Sequence, residues 1–320
     1  MKQHFKKITV AVLTVLLLTI PVGAQGRMLI PGGCTVGIKL VSEGLVVTGF
    51  EQESSAEQAG LKKGDVIIQV DGAEIHTVAA LQESLDEDTV VLTVLRNGKE
   101  AEFCVKPRQT AEGRRLGAYV RDSVAGIGTV TYYDPNTGAF GALGHGVNDS
   151  TTSDLMPMEA GVVVGSAVSD VEKGKIGQPG ELRGSFRVTE ILGEVEENTA
   201  YGIFGHLTVP VAGTPLPVAD PEEVETGAAQ ILANVQGRDV ALYDVEIVKV
   251  FPQSQESGRN LLLKITDPAL LESTGGIVQG MSGSPILQNG KLVGAVTHVL
   301  VNDPTQGYGI FIENMLDAAR

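Results

Sequence analysis

The chain has 320 residues, of which 39 are acidic and 24 basic, for a formal net charge of −15. Hydrophobic residues make up 42% and charged residues 20%, the balance of a folded globular protein rather than a disordered one. The acidity argues against a protein that grips nucleic-acid phosphates or lays a basic face on an anionic membrane, and it is read simply as solubility. The length accommodates two domains. Forty glycines, no tryptophan and many short Val/Ile/Leu runs point to a mainly β fold.

At the N-terminus, Lys2, Lys6 and Lys7 precede an uncharged run from Ile8 to Ile20 and then Pro21-Val22-Gly23-Ala24. This is the layout of a secretory signal, expected over residues 1–26 and either cut after Ala24 or kept as an anchor. Everything after Gln25 would then lie outside the cytoplasm. In such a compartment Cys34 and Cys104 can form a disulfide or stay as separate thiols.

Residues 27–106 have the pattern of one small α+β domain. Strand candidates at Gly37–Leu40 and Gly44–Phe50 are followed by a short helix, Ser55–Gly60, and a strand, Val66–Val70, ended by the Asp71-Gly72 turn. A helix over Val78–Leu85, with Thr77 as N-cap, precedes two strands, Val90–Leu95 and Glu100–Val105, joined at Asn97-Gly98. Ala59 to Gly72 reads Ala-Gly-Leu-x-x-Gly-Asp-x-Ile-x-x-Val-Asp-Gly, which resembles the bacterial PDZ signature. The resemblance implies that Gly37, Ile38, Lys39 and Leu40 form a loop and edge that receive a peptide terminus or an added strand, from a partner or from the same chain.

Residues 107–117 are polar and read as a linker. From 118 to 320, short apolar runs alternate with Gly, Pro, Asn and Asp. Two hairpins stand out: 130–133 with 139–143 across Asp134–Gly138, and 286–288 with 291–296 across Asn289-Gly290. An all-β sandwich or barrel is expected. Phe140–His145 and Tyr201–His206 echo each other, as two related half-barrels would.

A serine hydroxyl needs a base to take its proton and donors placed for the oxyanion. Gly280-Met281-Ser282-Gly283-Ser284-Pro285 supplies glycines that let a turn expose Ser282, with the N–H groups of Gly280 and Ser282 as candidate oxyanion donors. Among the histidines, His145 ends a hairpin strand ahead of the serine. His206 and His298 stand on apolar strands, where a lone histidine is more often structural. For the orienting carboxylate, Asp267 lies between His145 and Ser282 in the chain, while Asp149 is close to His145. The serine run resembles the nucleophile segment of chymotrypsin-like peptidases, with Met281 in place of the usual acid and Ser284 in place of a glycine.

Taken together, the N-terminal segment, the PDZ-like domain, Phe-Gly-Ala-Leu-Gly-His-Gly and Thr-Gly-Gly-Ile-Val-Gln-Gly-Met-Ser-Gly-Ser-Pro-Ile closely resemble the stage IV sporulation protein B peptidases of endospore formers. The resemblance implies a PDZ domain followed by a chymotrypsin-like double β-barrel, with a triad at His145, Asp267 and Ser282. It further implies a protease of the forespore intermembrane space that cleaves itself and cuts a regulator of an intramembrane metalloprotease, releasing a late sigma factor. The triad chemistry calls for no metal or organic cofactor. Competing readings are an envelope quality-control protease of the HtrA kind, which normally places protease before PDZ, and a non-catalytic scaffold.

Overall fold

The computed structural model describes residues 26–252 and 258–319; apart from Gly26, the expected signal lies outside the described residues. Strands β1 (Met28–Pro31) and β2 (Thr35–Phe50) come first. The small domain follows with α1 (Ser55–Gln58), β3 (Val66–Val70), β4 (Ala73–Glu74), α2 (Val78–Glu83), β5 (Val90–Arg96) and β6 (Lys99–Val105). A hairpin, β7 (Arg108–Thr110) and β8 (Gly113–Arg115), leads into β9 (Ala118–Tyr133). Next come β10 (Ala139–Ala142), β11 (Ala160–Glu172), β12 (Glu181–Thr199), β13 (Gly202–Leu207) and β14 (Leu216–Pro217). The last part holds β15 (Gly227–Gln236), β16 (Asp239–Val250), β17 (Leu261–Ile265), α3 (Pro268–Thr274), β18 (Pro285–Gln288), β19 (Lys291–Leu300), β20 (Asp303–Phe311) and α4 (Ile312–Ala318).

Strands β15, β16, β17, β20, β19 and β18 close into one antiparallel barrel. Alternation builds it: Ala229, Ile231 and Ala233 on β15 and Leu261, Leu263 and Ile265 on β17 point inward, as the two-residue strand period requires. A second ring runs β9–β10–β13–β12–β11–β2 and closes through the β2–β9 pairing. Its core includes Val36, Ile38, Leu40, Phe140, Val163 and Ile203. Leu29, Tyr132, Phe204, Leu292, Ile310 and Met315 pack into a further cluster. The fold is therefore the expected double barrel with a PDZ domain. The echoing segments 140–145 and 201–206 contribute neighbouring strands of one barrel, Phe140 opposite Gly205, rather than one to each.

The domain order is interleaved. The first half of β2 belongs to the first barrel and its second half to the PDZ domain, where Leu45 pairs with Ile67. Chain 42–122 is thus inserted between two adjacent barrel strands. This corrects the reading of Gly37, Ile38, Lys39 and Leu40 as a peptide-receiving loop. They lie mid-strand, paired with Val164 to Gly161 on β11 and with Ile127 to Val124 on β9, so neither edge is open. Residues 107–117 are also more than a linker: Leu116 is buried in the PDZ core, and its carbonyl accepts from Ala56 N–H. The cysteines are separate thiols, Cys34 lying 2.9 Å from the Tyr133 hydroxyl and Cys104 exposed.

Because Leu40 and Val124 face each other on adjacent antiparallel strands, the insertion can be replaced by a tight turn. A chain joining Leu40 to Val124 through Asn-Gly is expected to keep both barrels folded, with a cooperative thermal transition and β-type circular dichroism. Loss of cooperative unfolding would show that the barrel depends on the inserted domain.

Candidate active site

Ser282 sits on two consecutive β-turns. Met281 N–H donates to Val278 O at 3.1 Å, and Ser284 N–H donates to Met281 O at 2.9 Å. The third position of each turn is a glycine in the left-handed region, Gly280 and Gly283, both at φ 97°. A Cβ on Gly283 would stand 2.0 Å from Thr129 O, so only glycine lets the turn approach the first barrel. Met281, 0% exposed, anchors the turn in the second barrel's core; this explains an apolar residue where chymotrypsin-like enzymes carry an acid.

The turn is tied to both barrels. Thr129 N–H donates to Ser282 O and the Thr129 hydroxyl to Gly280 O at 2.7 Å; Gly283 N–H donates to Val296 O on β19. Among the described residues, the N–H groups of Gly280 and Ser282 make no backbone hydrogen bond. The Ser282 hydroxyl donates to Thr297 O at 2.7 Å.

His145 follows a tight reversal after β10. Gly144 N–H reaches Ala142 O at 2.9 Å, with Leu143 at φ 72°, a γ-turn that costs backbone strain. A Cβ on Gly144 would lie 2.9 Å from Thr297 Cγ2, so this reversal presses against the second barrel. His145 Nδ1 lies 2.8 Å from Gly146 O. A carbonyl only accepts, so Nδ1 carries the proton and Nε2 keeps its lone pair. Burial pushes the His145 pKa below its ordinary value, offset in part by the Gly146 bond.

His145 and Ser282 line one cleft of about 910 Å³ between the barrels, with Arg121 and Ser123 to Ile127 of β9, Gln279, Gly280, Thr297 and His298. His298, set aside in the sequence as structural, belongs to this cleft. Its ring centroid is 5.1 Å from that of His145, with 40° between the planes, and its buried Nδ1 has no partner among the described residues. Burial, then His145 and Arg259, push its pKa down to about 4, so it is neutral at neutral pH. The signal that it faces His145 is tertiary and absent from its local apolar run.

Neither candidate carboxylate reaches the histidine. Asp267 is the N-cap of α3, its oxygens accepting from the N–H groups of Ala269 at 2.9 Å, Leu270 at 3.0 Å and Asp244 at 3.4 Å. Asp149 is buried in its own loop, accepting from Thr151 and Thr152 N–H and paired with Arg121 at 3.0 Å. No Asp or Glu lines the cleft among the described residues. Of the three expected residues, His145 and Ser282 line the same cleft, while Asp267 caps the helix that starts at Pro268. His206 is exposed against Glu196, outside the cleft.

These features define a PDZ-bearing, double-barrel serine peptidase. The sequence profile of the SpoIVB peptidase S55 family matches residues 112–316, most of the chain, and the chain belongs to that family. A PDZ-domain profile matches residues 32–106. Among curated proteins, the chain is similar to a serine protease Do-like HtrA of Lactobacillus helveticus, 39% identical over 84 residues, which cover 24% of this chain and 20% of that one. A putative zinc metalloprotease of Mesorhizobium japonicum is 31% identical over 85 residues, covering 26% of this chain and 23% of that protein. The chain thus spans about a fifth of these relatives' lengths. Among solved structures, the Rv3671c protease of M. tuberculosis, in its inactive form, matches at 15% identity and TM-score 0.36, over 60% of this chain and 84% of that one.

Two outcomes follow. Replacing Asp267 by Ala should cost about 1 kcal/mol of stability through the lost cap, and Asp267→Asn should restore both stability and activity, since an amide oxygen also caps. Loss of turnover in a stably folded Asp267→Asn protein would return the carboxylate to the catalytic machinery. Second, a histidine acting as base must be neutral, and burial lowers the His145 pKa. Labelling of Ser282 by a fluorophosphonate should therefore hold its plateau as pH falls through 6.5, the ordinary histidine value, and decline only below it. The contribution of neutral His298 to stability is complete above 6.5 and is progressively lost as pH falls toward its folded value of about 4.

Proposed function

We propose that the chain is an exported signalling endopeptidase in which Ser282 is the nucleophile and His145 the general base. The observation that carries this reading is the meeting of Ser282, on its glycine-framed turn, with His145 in one cleft between two barrels. The Ser282 hydroxyl leaves Thr297 O for the free Nε2 of His145, which takes the proton as Oγ attacks the scissile carbonyl. The N–H groups of Gly280 and Ser282 receive the oxyanion. The imidazolium then gives its proton to the leaving amine, and water repeats the sequence on the acyl-enzyme. Gly146 O holds Nδ1–H throughout, in the place a carboxylate usually takes.

The family and its attached PDZ domain support a regulated rather than degradative role: self-cleavage, then cleavage of a membrane-bound regulator of an intramembrane metalloprotease and activation of a late sigma factor during sporulation. The basic and apolar N-terminal segment supports export, into the forespore intermembrane space. The protease-before-PDZ order of HtrA enzymes disfavours the quality-control reading, since here the PDZ domain is inserted after the first barrel strand.

Purified wild-type protein beside Ser282→Ala tests the reading. The wild type should fragment itself and cleave unfolded casein, and the variant should lose both by about a thousandfold or more while unfolding at the same temperature. Equal fragmentation of the two would rule out Ser282 as nucleophile.

A further inference from the structure

The inserted PDZ domain ends the large sheet on β6, which pairs with β5 along one side and with no strand along the other among the described residues. Which groups face the free side follows from the neighbouring strand. Val91 N–H donates to Asp71 Oδ1 and Val91 O accepts from Asp71 N–H, both at 2.8 Å, so the main chain of Val91 faces away from β6. Cys104 stands opposite Val91 and therefore turns its own N–H and C=O outward, as a non-hydrogen-bonded pair of an antiparallel ladder requires. The β5–β6 register is unbroken, so Glu102 and Glu100 turn theirs outward as well. The side chains of Glu100, Glu102 and Cys104 are exposed, and Lys106 and Arg108 continue the same alternation beyond the strand, also exposed. Among the described residues Glu100, Glu102 and Lys106 have no ion-pair partner, and Arg108 meets Glu51 at 3.1 Å on the surface.

We propose that β6 is a self-association edge, adding antiparallel to β6 of a second copy of this chain about a two-fold axis at Cys104. The exposed face is its own complement. In alternate positions from Glu100 to Arg108 it runs acid, acid, cysteine, base, base. A two-fold at Cys104 sets Glu100 opposite Arg108 and Glu102 opposite Lys106, each twice, with no like charges opposed. A two-fold at Phe103 keeps Glu100 opposite Lys106 but loses the other pair, and one at Glu102 sets that carboxylate against itself. A centre between two residues would oppose an outward main chain to an inward one and forms no ladder. Pro107, which lacks an N–H, falls at an inward position and withdraws none from the edge. Charges on an edge strand ordinarily keep copies apart; here their order makes the copies attract. A strand of another protein would need no such order, so the occupant is a second copy. A single strand pair buries less than the roughly 1,000 Å² of a stable interface, so the dimer is weak and concentration-dependent. None of residues 99–108 lines the cleft of Ser282 and His145, so the pairing does not occupy it.

Full-length Ser282→Ala protein, chosen so that self-cleavage does not blur the result, tests this by sedimentation equilibrium. It should pass from monomer to dimer between about 1 and 100 μM, the range of a weak interface. Two charge variants are made in it, Glu100→Lys with Glu102→Lys and Lys106→Glu with Arg108→Glu. Each alone sets like charges across the two-fold, and its dimer dissociation constant should rise about tenfold or more. An equimolar mixture of the two restores opposite charges at every pair and should associate at least as tightly as the parent. A parent that stays monomeric over that range, variants that dimerise as the parent does, or a mixture that stays monomeric overturns the proposal. Independently of the charge variants and of their folding, a short bis-maleimide should join Cys104 to Cys104 in the parent, since the paired Cα atoms would stand about 5.5 Å apart. The crosslink should persist in Cys34→Ala; its absence there, or from the parent, also overturns the proposal.

Discussion

The geometry of the cleft depends on one close approach, that of the Ser282 turn to the first barrel. Ser282 O and Gly280 O are held by the main chain and hydroxyl of Thr129, while Gly283 N–H is held by Val296 in the second barrel. The turn is a clasp between two separately packed cores. It closes only because position 283 has no side chain: a Cβ there would overlap Thr129 O at 2.0 Å and Leu143 N at 2.6 Å. Gly144 plays the same part from the other side, against Thr297 and Ile310. Protein interiors do not yield by such distances without repacking, so Ser282 and His145 are positioned by how the barrels meet rather than by a local loop.

The Ser282 hydroxyl is spent on Thr297 O, and His145 is held in one tautomer by the next residue's carbonyl. The His145 and His298 rings lie 5.1 Å apart, tilted by 40°, and no carboxylate lines the cleft among the described residues. Leu143, at φ 72°, reverses the chain just before the histidine.

Much of this was legible in the chain. The glycine-framed serine, the Asn289-Gly290 and Asp134–Gly138 hairpins and the PDZ signature are local patterns, and local patterns survive folding. Gly37–Leu40 was misread because its two partner strands lie about ninety or more residues away, and no local signal shows that both edges are taken. Asp267 was misread for the opposite reason: Asp-Pro before an apolar run is a helix start, and capping claimed the carboxylate. His298 looked like a core histidine because its run is apolar. Only the meeting of the barrels places its ring against His145.

The measurement that tests the central claim most directly is mapping of a covalent serine-reactive phosphonate on the intact chain by peptide mass analysis. The account predicts a single adduct, on the peptide containing Ser282, that disappears in His145→Ala at neutral pH. An adduct on a different serine, or undiminished labelling of Ser282 without His145, would contradict it.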